Sequence, residues 1–445
     1  MNDQQPLRVA VVSLGCPKNL VDTEKMLALL AQSGQWVGAR MDQADVILIN
    51  TCAFIAPARQ ESMQAIRRAL LAKRRGQVRR VVVAGCLPQK QSSQLERRYP
   101  QIDAVIGVFD RDRIVQAVTG SGPVRRVSPP SQACHSDLGR LRLTPRHWAY
   151  LRLSEGCDNR CAYCTIPSIR GPLRSKPMVD VLREARELVA DGAVELNLIA
   201  QDTAAYGRDL PGRCDLAGLL ARLDKIDGLR WIRLMYAHPA GMSDRLISAL
   251  ADCSKAVPYL DLPLQHINGR LLGLMRRRYD RRQVEELIRK LRRRLPNIAL
   301  RTSFIVGFPG ETRGEFKELL EFVRQARFDA AGVFTYSREA GTPAARMGSQ
   351  VSPATAAARR RELMLAQQEG VMSANAARVG KSLEVLVDGP DGSGRCVGRH
   401  AGQAPQIDSL CLLEKPCPAG SFIRARVSGT SGYDLLIRPT GGIRD

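Results

Sequence analysis

Three short apolar runs near the start of the chain are each followed, just beyond the last apolar position, by a cysteine. RVAVVSL (Arg8–Leu14) leads to Cys16, DVILIN (Asp45–Asn50) to Cys52, and RVVVA (Arg80–Ala84) to Cys86. The cysteines are 36 and 34 residues apart, each interval long enough for one strand and one helix. That rhythm is the signature of a parallel sheet with crossover helices, and it predicts an α/β, Rossmann-like unit over residues 7–120. In such a sheet the carboxyl ends of neighbouring strands lie side by side, so three cysteines at equivalent positions can meet at one edge. Buried structural cysteines are the alternative, but these fall beyond the strands rather than within them.

The pattern then changes three times. Residues 121–142 are rich in Pro, Ser, Gly and Arg and lose apolar periodicity, as a linker should. Within residues 143–373, six strand candidates alternate with helices: AYLRLSEG, VELNLIA, RWIRLMY, PYLDLPL, ALRTSFIVG and GVFTYS. Eight such units would close a barrel, so six predict a partial (β/α) barrel with its chemistry at the carboxyl ends of the strands. Residues 376–442 carry short alternating runs, SLEVLVD, FIRARV and YDLLI, between Gly- and Pro-rich turns, which predicts a small antiparallel β-barrel.

Twelve cysteines in 445 residues are too sparse for a disulfide-built scaffold. The first twenty residues lack the pattern of an export signal, and no apolar run is long enough to span a bilayer, so the expected location is the cytoplasm, where free thiols persist and favour metal ligation. A net charge of +23 would attract polyanions such as RNA. Its densest run, Arg276 to Arg294, reads equally as a solvated amphipathic helix.

The segment EGCDNRCAYC sets Cys157, Cys161 and Cys164 in one loop directly after the first barrel strand. Thiolates suit zinc or iron-sulfur clusters. A zinc site would usually be closed by a fourth Cys or His at short spacing, and none follows; His147 precedes the strand and would sit at its far end. Three ligands on a four-iron cluster leave one iron free to bind a small molecule. Cys157, Cys161, Tyr163 and Cys164 match the CxxxCxΦC motif, Φ being aromatic, and on these residues the chain resembles the radical S-adenosylmethionine enzymes. The resemblance implies that the open iron chelates the amino and carboxylate groups of S-adenosylmethionine. It also implies that reductive cleavage releases a 5'-deoxyadenosyl radical, with Tyr163 near the adenine.

Cys16, Cys52 and Cys86 likewise offer three thiolates without a fourth, which predicts a second 4Fe-4S cluster with an iron available to hold sulfur. Two such clusters and a small C-terminal barrel resemble the methylthiotransferases, which insert sulfur into a carbon-hydrogen bond and methylate it. Five segments resemble the branch that acts on ribosomal protein S-twelve: SLGCPKNLVDTE, EGCDNRCAYCTIPSIRG, LIAQDT, DLPLQHI and FIVGFPGET. The tRNA-modifying branch typically has Gln-Met where this chain has Pro17-Lys18. The resemblance implies methylthiolation of an aspartate β-carbon in ribosomal protein S-twelve, met free or in the small ribosomal subunit. S-adenosyl-L-methionine would be both methyl donor and radical source, an electron-donor protein of flavodoxin or ferredoxin type the reductant, and the C-terminal barrel a TRAM-like domain that grips the substrate. An acidic run expected in that barrel reads Gln403-Ala-Pro-Gln-Ile-Asp408 here, which removes carboxylates that would pair with a basic substrate.

On family position Gln201 is expected at the amino-acid end of S-adenosylmethionine, while Asp202 reads as a ligand contact or a helix cap. Phe304–Thr312 reads as a turn, His238 and His266, just beyond barrel strands, as structural histidines rather than proton carriers, and Cys134, Cys214, Cys253, Cys396, Cys411 and Cys417 as packing residues. Two other functions fit parts of the pattern: the same chemistry on a tRNA adenosine, and a non-catalytic zinc-bearing RNA-binding protein.

Overall fold

A computed structural model describes residues 5–130, 134–212 and 214–440. Residues 131–133 of the expected linker and 441–442 of the expected barrel lie outside the described residues. The first unit is a parallel sheet in the order Trp36–Val37, Arg8–Ser13, Val46–Thr51, Arg80–Gly85, Ala104–Ile106, Val124–Arg126. Val46–Thr51 (VILINT) is buried throughout, as a central parallel strand must be when helices cover both faces. Val46 and Leu48 pack with Met26 and Leu30 of helix Pro17–Gln32. Ile47 and Ile49 pack with Ile66 and Leu70 of helix Ala56–Arg74 on the other side.

The order reverses at Arg8–Ser13, from which the chain moves first to one side and then to the other. Such a switch point opens a crevice beyond the carboxyl ends of the strands. It falls between the strands that lead to Cys16 and Cys52.

Val124–Arg126 belongs to this sheet although it lies in the stretch read as linker. A three-residue edge strand with two arginines carries too little apolar pattern to be seen in sequence. The stretch is also docked rather than free: Asp137 is buried, Arg140 pairs with Glu24, and Leu138 O accepts from Lys25 Nζ at 2.7 Å.

The central unit is a six-stranded parallel sheet in sequence order: Trp148–Arg152, Glu195–Ile199, Trp231–Leu234, Ala256–Asp261, Ala299–Val306 and Ala330–Thr335. One face, with Leu151, Leu196, Leu198, Ile232, Leu260 and Phe304, is buried under the flanking helices. The opposite face meets both neighbouring units, through Val21 of the first helix and through Leu386, Ala404 and Phe422.

The C-terminal unit is a closed five-stranded barrel. The expected small antiparallel barrel is present, and one pair in it, Cys411–Leu413 with Asp434–Pro439, is parallel. Strands of odd number cannot alternate direction all the way round a ring, so one parallel contact is unavoidable. The 401–409 loop docks against the central sheet: Arg233 Nη1 donates to Ala401 O at 2.6 Å, Tyr259 OH to Asp408 Oδ2 at 2.8 Å, and Tyr150 OH to Gln406 Oε1 at 3.2 Å. Gln403 is buried, accepting from His400 N and donating to Ser409 Oγ. Gln403, where a carboxylate facing the substrate is expected, thus braces the loop from a buried position, while Gln406 is exposed.

Candidate active site

Cys16 caps helix Pro17–Gln32, Cys52 directly follows Val46–Thr51, and Cys86 opens helix Cys86–Arg98. All three lie at the switch-point edge. The loops approach so closely that two positions exclude any side chain. A Cβ on Gly15 (φ +94) would sit 2.7 Å from Cys52 Cβ, and one on Gly85 (φ +95) 2.2 Å from Asn50 Oδ1. Asn19 ties the loops together, donating to Leu14 O at 2.6 Å and Thr51 O at 3.3 Å. The helix N-termini at Cys16 and Cys86 favour negative charge on sulfur.

The second trio sits where the central sheet's first strand ends. Each sulfur receives one N–H at 3.4 Å: Cys157 from Asn159 Nδ2, Cys161 from Arg277 Nη1, Cys164 from Ile166 N. Arg277 also donates to Tyr163 OH at 3.3 Å. Tyr163 packs on a small apolar cluster with Ala162, Phe308 and Tyr336. A cavity of about 260 Å³ beside the loop is lined by Cys157, Asn159, Asp202 and Arg278. Gln201 follows the second strand, and both ends of its amide are buried without a hydrogen-bond partner. An orphaned amide at the carboxyl end of a barrel strand is what a polar ligand would complete.

Burial pushes the thiols of Cys86 and Cys164 up to about 12 and that of Cys157 up to about 11, and it raises Cys52. The positive charge of a bound metal would offset that burial. Three soft thiolate donors in the Cys157 loop, each with an N–H aimed at sulfur, suit an iron-sulfur cluster.

A buried ion cluster joins the two loops. It contains four cations, Arg111, Arg152, Arg170 and Lys176, and four anions, Asp22, Asp137, Glu155 and Glu184. Arg170 links the sites directly. It binds Asp22 Oδ2 at 2.9 Å and Glu155 at 2.9 Å, and its Nη2 lies 3.7 Å from Cys86 Sγ. The arginines on either side hold the Asp22 and Glu155 carboxyls below their ordinary range against the opposing effect of burial.

Several of these residues are invisible to sequence reading. Arg277 falls in the run read as a solvated helix or RNA contact, yet it is buried, and the helix proper begins only at Arg281. Its signal would have been the aromatic at Tyr279, whose hydroxyl accepts from Arg277 Nε at 2.7 Å. Asp202 stands at the N-cap of the short 3-10 helix Thr203–Ala205, but its carboxylate does not cap it and accepts instead from Asn159 Nδ2 at 2.7 Å and His238 N at 3.2 Å, steadying the cysteine loop. His238 and His266 have local structural partners, their Nδ1 atoms accepting from Ala240 N and Asn268 N. Gly307 turns the Phe304–Thr312 segment at φ +73, where a Cβ would lie 2.5 Å from Ala356 Cβ. None of the remaining six cysteines is in a disulfide.

Residues 151–323 match the radical SAM superfamily, residues 8–107 an uncharacterized protein family (UPF0004), and residues 379–439 a TRAM domain. The central sheet with its three-cysteine loop therefore belongs to a radical SAM enzyme. Two solved forms of the radical S-adenosylmethionine methyltransferase TsrM from Kitasatospora setae share the fold. One has a TM-score of 0.57 at 14% identity over 83% of this chain and 90% of that chain, the other 0.54 at 15% over 76% and 77%. Ribosomal protein uS12 methylthiotransferase RimO of Geobacter sulfurreducens (strain ATCC 51573 / DSM 12127 / PCA) is 45% identical over 96% of this chain and 98% of its own length. That of Anaeromyxobacter sp. (strain K) is 44% identical over 97% and 93%. The chain belongs to the RimO family of methylthiotransferases.

Proposed function

We propose that this enzyme methylthiolates the β-carbon of an aspartate in ribosomal protein uS12, using S-adenosylmethionine as methyl donor and radical source. The observation that carries this reading is the pairing of two cysteine trios on facing units, bridged by Arg170 between Cys86 and Glu155, two residues before Cys157. When bound, a 4Fe-4S cluster on Cys157, Cys161 and Cys164 would supply the electron that cleaves S-adenosylmethionine, and one on Cys16, Cys52 and Cys86 would hold the sulfur to be transferred.

The chain's own residues prepare that chemistry. Gln201 offers a free buried amide to the amino-acid end of S-adenosylmethionine, and Tyr163, fixed by Arg277, offers a ring to the adenine. Asn159, Arg277 and the Ile166 N–H stabilise negative charge on the three sulfurs. The units act as an N-terminal sulfur-bearing domain (7–120), a connector (121–142), a radical core (143–373) and a TRAM-like barrel (376–442). The barrel, with the chain's net charge of +23, suits contact with ribosomal RNA around the substrate. Among the described residues no helix is long and apolar enough to cross a membrane. The enzyme works in the cytoplasm, reduced by a flavodoxin- or ferredoxin-type protein.

The test is anaerobic incubation of the iron-loaded enzyme with S-adenosylmethionine, a reductant and either uS12 or tRNA. Methylthio-aspartate in uS12, with tRNA nucleosides unchanged, is the expected result. Thiomethylated adenosine with unmodified uS12 would overturn the assignment.

A further inference from the structure

Lys18 is the second residue of helix Pro17–Gln32, two positions after Cys16, and only 7% exposed. Its position is doubly unfavourable for a cation. The first turn of a helix repels positive charge, and a buried ammonium needs a carboxylate partner.

Lys18 has no such partner: among the described residues its Nζ makes neither a hydrogen bond nor an ion pair. Its ammonium instead lies 3.6 Å from the centroid of the Tyr236 ring. Burial lowers the pKa of this ammonium against the pull of nearby Cys16, Glu155 and Asp261. Glu155 is engaged by Arg152 and Arg170, and Asp261 by Arg301 at 3.0 Å. Six other buried cations, Arg111, Arg152, Arg170, Lys176, Arg233 and Arg399, each hold a carboxylate, and buried Arg277 is held instead by Tyr163, Tyr279, Cys161 and the Pro263 carbonyl.

Tyr236, which supports the ammonium, is itself in a demanding conformation. It adopts φ +58, rare for a bulky residue, at the carboxyl end of strand Trp231–Leu234, and its N–H donates to Asp261 Oδ2 at 3.3 Å. Strain of this kind persists where surrounding structure enforces it, most often at ligand sites. The same sheet holds another buried polar side chain without partners. Asn197, fully buried in strand Glu195–Ile199 beside Tyr150, has both amide atoms without partners.

We propose that Lys18 selects a carboxylate-bearing substrate, its ammonium over Tyr236 receiving the side-chain carboxylate of the target aspartate and holding that residue beside Cys16. This rests on the proposed aspartate substrate and adds the group that recognises it. Tyr236 and the sheet beneath it set the height of the ammonium, and the charge-assisted hydrogen bonds it forms are lost to any uncharged side chain.

The test uses iron-loaded wild-type, Lys18→Met and Lys18→Arg enzymes. Each is titrated by fluorescence anisotropy with two labelled uS12 peptides, one carrying the target aspartate and one carrying asparagine there. Each ratio of affinities is internal to one protein, so a misfolded fraction that binds neither peptide does not move it. The wild type is expected to favour aspartate by about tenfold to a hundredfold, the range for hydrogen bonds to charged groups. Lys18→Met is expected to bring the ratio near one, and Lys18→Arg to keep most of the preference. A Lys18→Met ratio equal to the wild type's would make Lys18 only a counter-charge to the thiolates and overturn the assignment, as would a wild type that binds both peptides alike. Failure of the parent reading shows separately, as no mass gain on uS12 with the wild-type enzyme.

Discussion

Replacing Asp137 by asparagine removes one of the four anions that balance the four buried cations between the cysteine loops. Its carboxylate accepts from Arg111 Nη1 at 2.8 Å, from Arg152 Nε at 2.9 Å and Nη2 at 2.5 Å, and from Lys176 Nζ at 2.7 Å. Asparagine has the same shape but turns an N–H₂ toward donors and leaves one positive charge unbalanced. Breaking a buried pair by removing one partner costs ~3–5 kcal/mol, more than a hundredfold in the unfolding constant. Urea unfolding followed by the fluorescence of Trp148 and Trp231, both buried against the C-terminal barrel, reads that loss.

The pH dependence has a definite sign. Burial alone would raise the Asp137 carboxyl, but Arg152, Lys176 and Arg111 hold it well below its ordinary value of about 4. A carboxyl depressed in the folded state stabilises above its unfolded pKa, and this contribution fades as pH falls toward the folded one. The gap between wild type and Asp137→Asn should therefore be constant from about pH 8 to 5 and narrow below about 4. A gap under about 1 kcal/mol, the size of an exposed pair, or one that widens on acidification, would refute the reasoning.

Cys157→Ala and Cys86→Ala should each lower iron and labile sulfide by about half, and the double variant should hold almost none, as measured on anaerobically purified protein. Gln201→Ala, which removes the orphaned amide, should raise the KM for S-adenosylmethionine by about tenfold or more while iron content stays at the wild-type level. Arg277→Met removes a charged donor from Cys161 and should shift the reduction potential of the cluster beside it to more negative values, by about 60 mV for each ~1.4 kcal/mol of hydrogen bond lost, read by potentiometry with electron paramagnetic resonance.

What the sequence carried best was periodicity. Cys16, Cys52 and Cys86 betray a parallel edge because each strand–helix unit repeats at nearly constant length, and the six central strands appear because each is an apolar run. Val124–Arg126 escaped because an edge strand three residues long needs no apolar face. The parallel pair closing the small barrel escaped because strand direction follows from ring closure, which no local pattern encodes. At the site, the cysteines are legible in their spacing, whereas Arg170, Arg277 and Asp137 act through partners far away in sequence, such as Cys86, Cys161 and Arg111. A charge run such as RRRYDRRQ looks uniformly solvated until packing shows Arg277 turned toward a thiol, a tyrosine and Pro263 O, and Arg278 toward Asn159.

The central claim is that this chain places a methylthio group on uS12, and its most direct test is the intact mass of uS12 from a strain lacking the gene and from its parent, with fragment mapping of any difference. A methylthio increment on one aspartate in the parent, absent from the deletion strain, is the expected result. Identical masses from a parent that expresses the gene would contradict it and turn attention to tRNA.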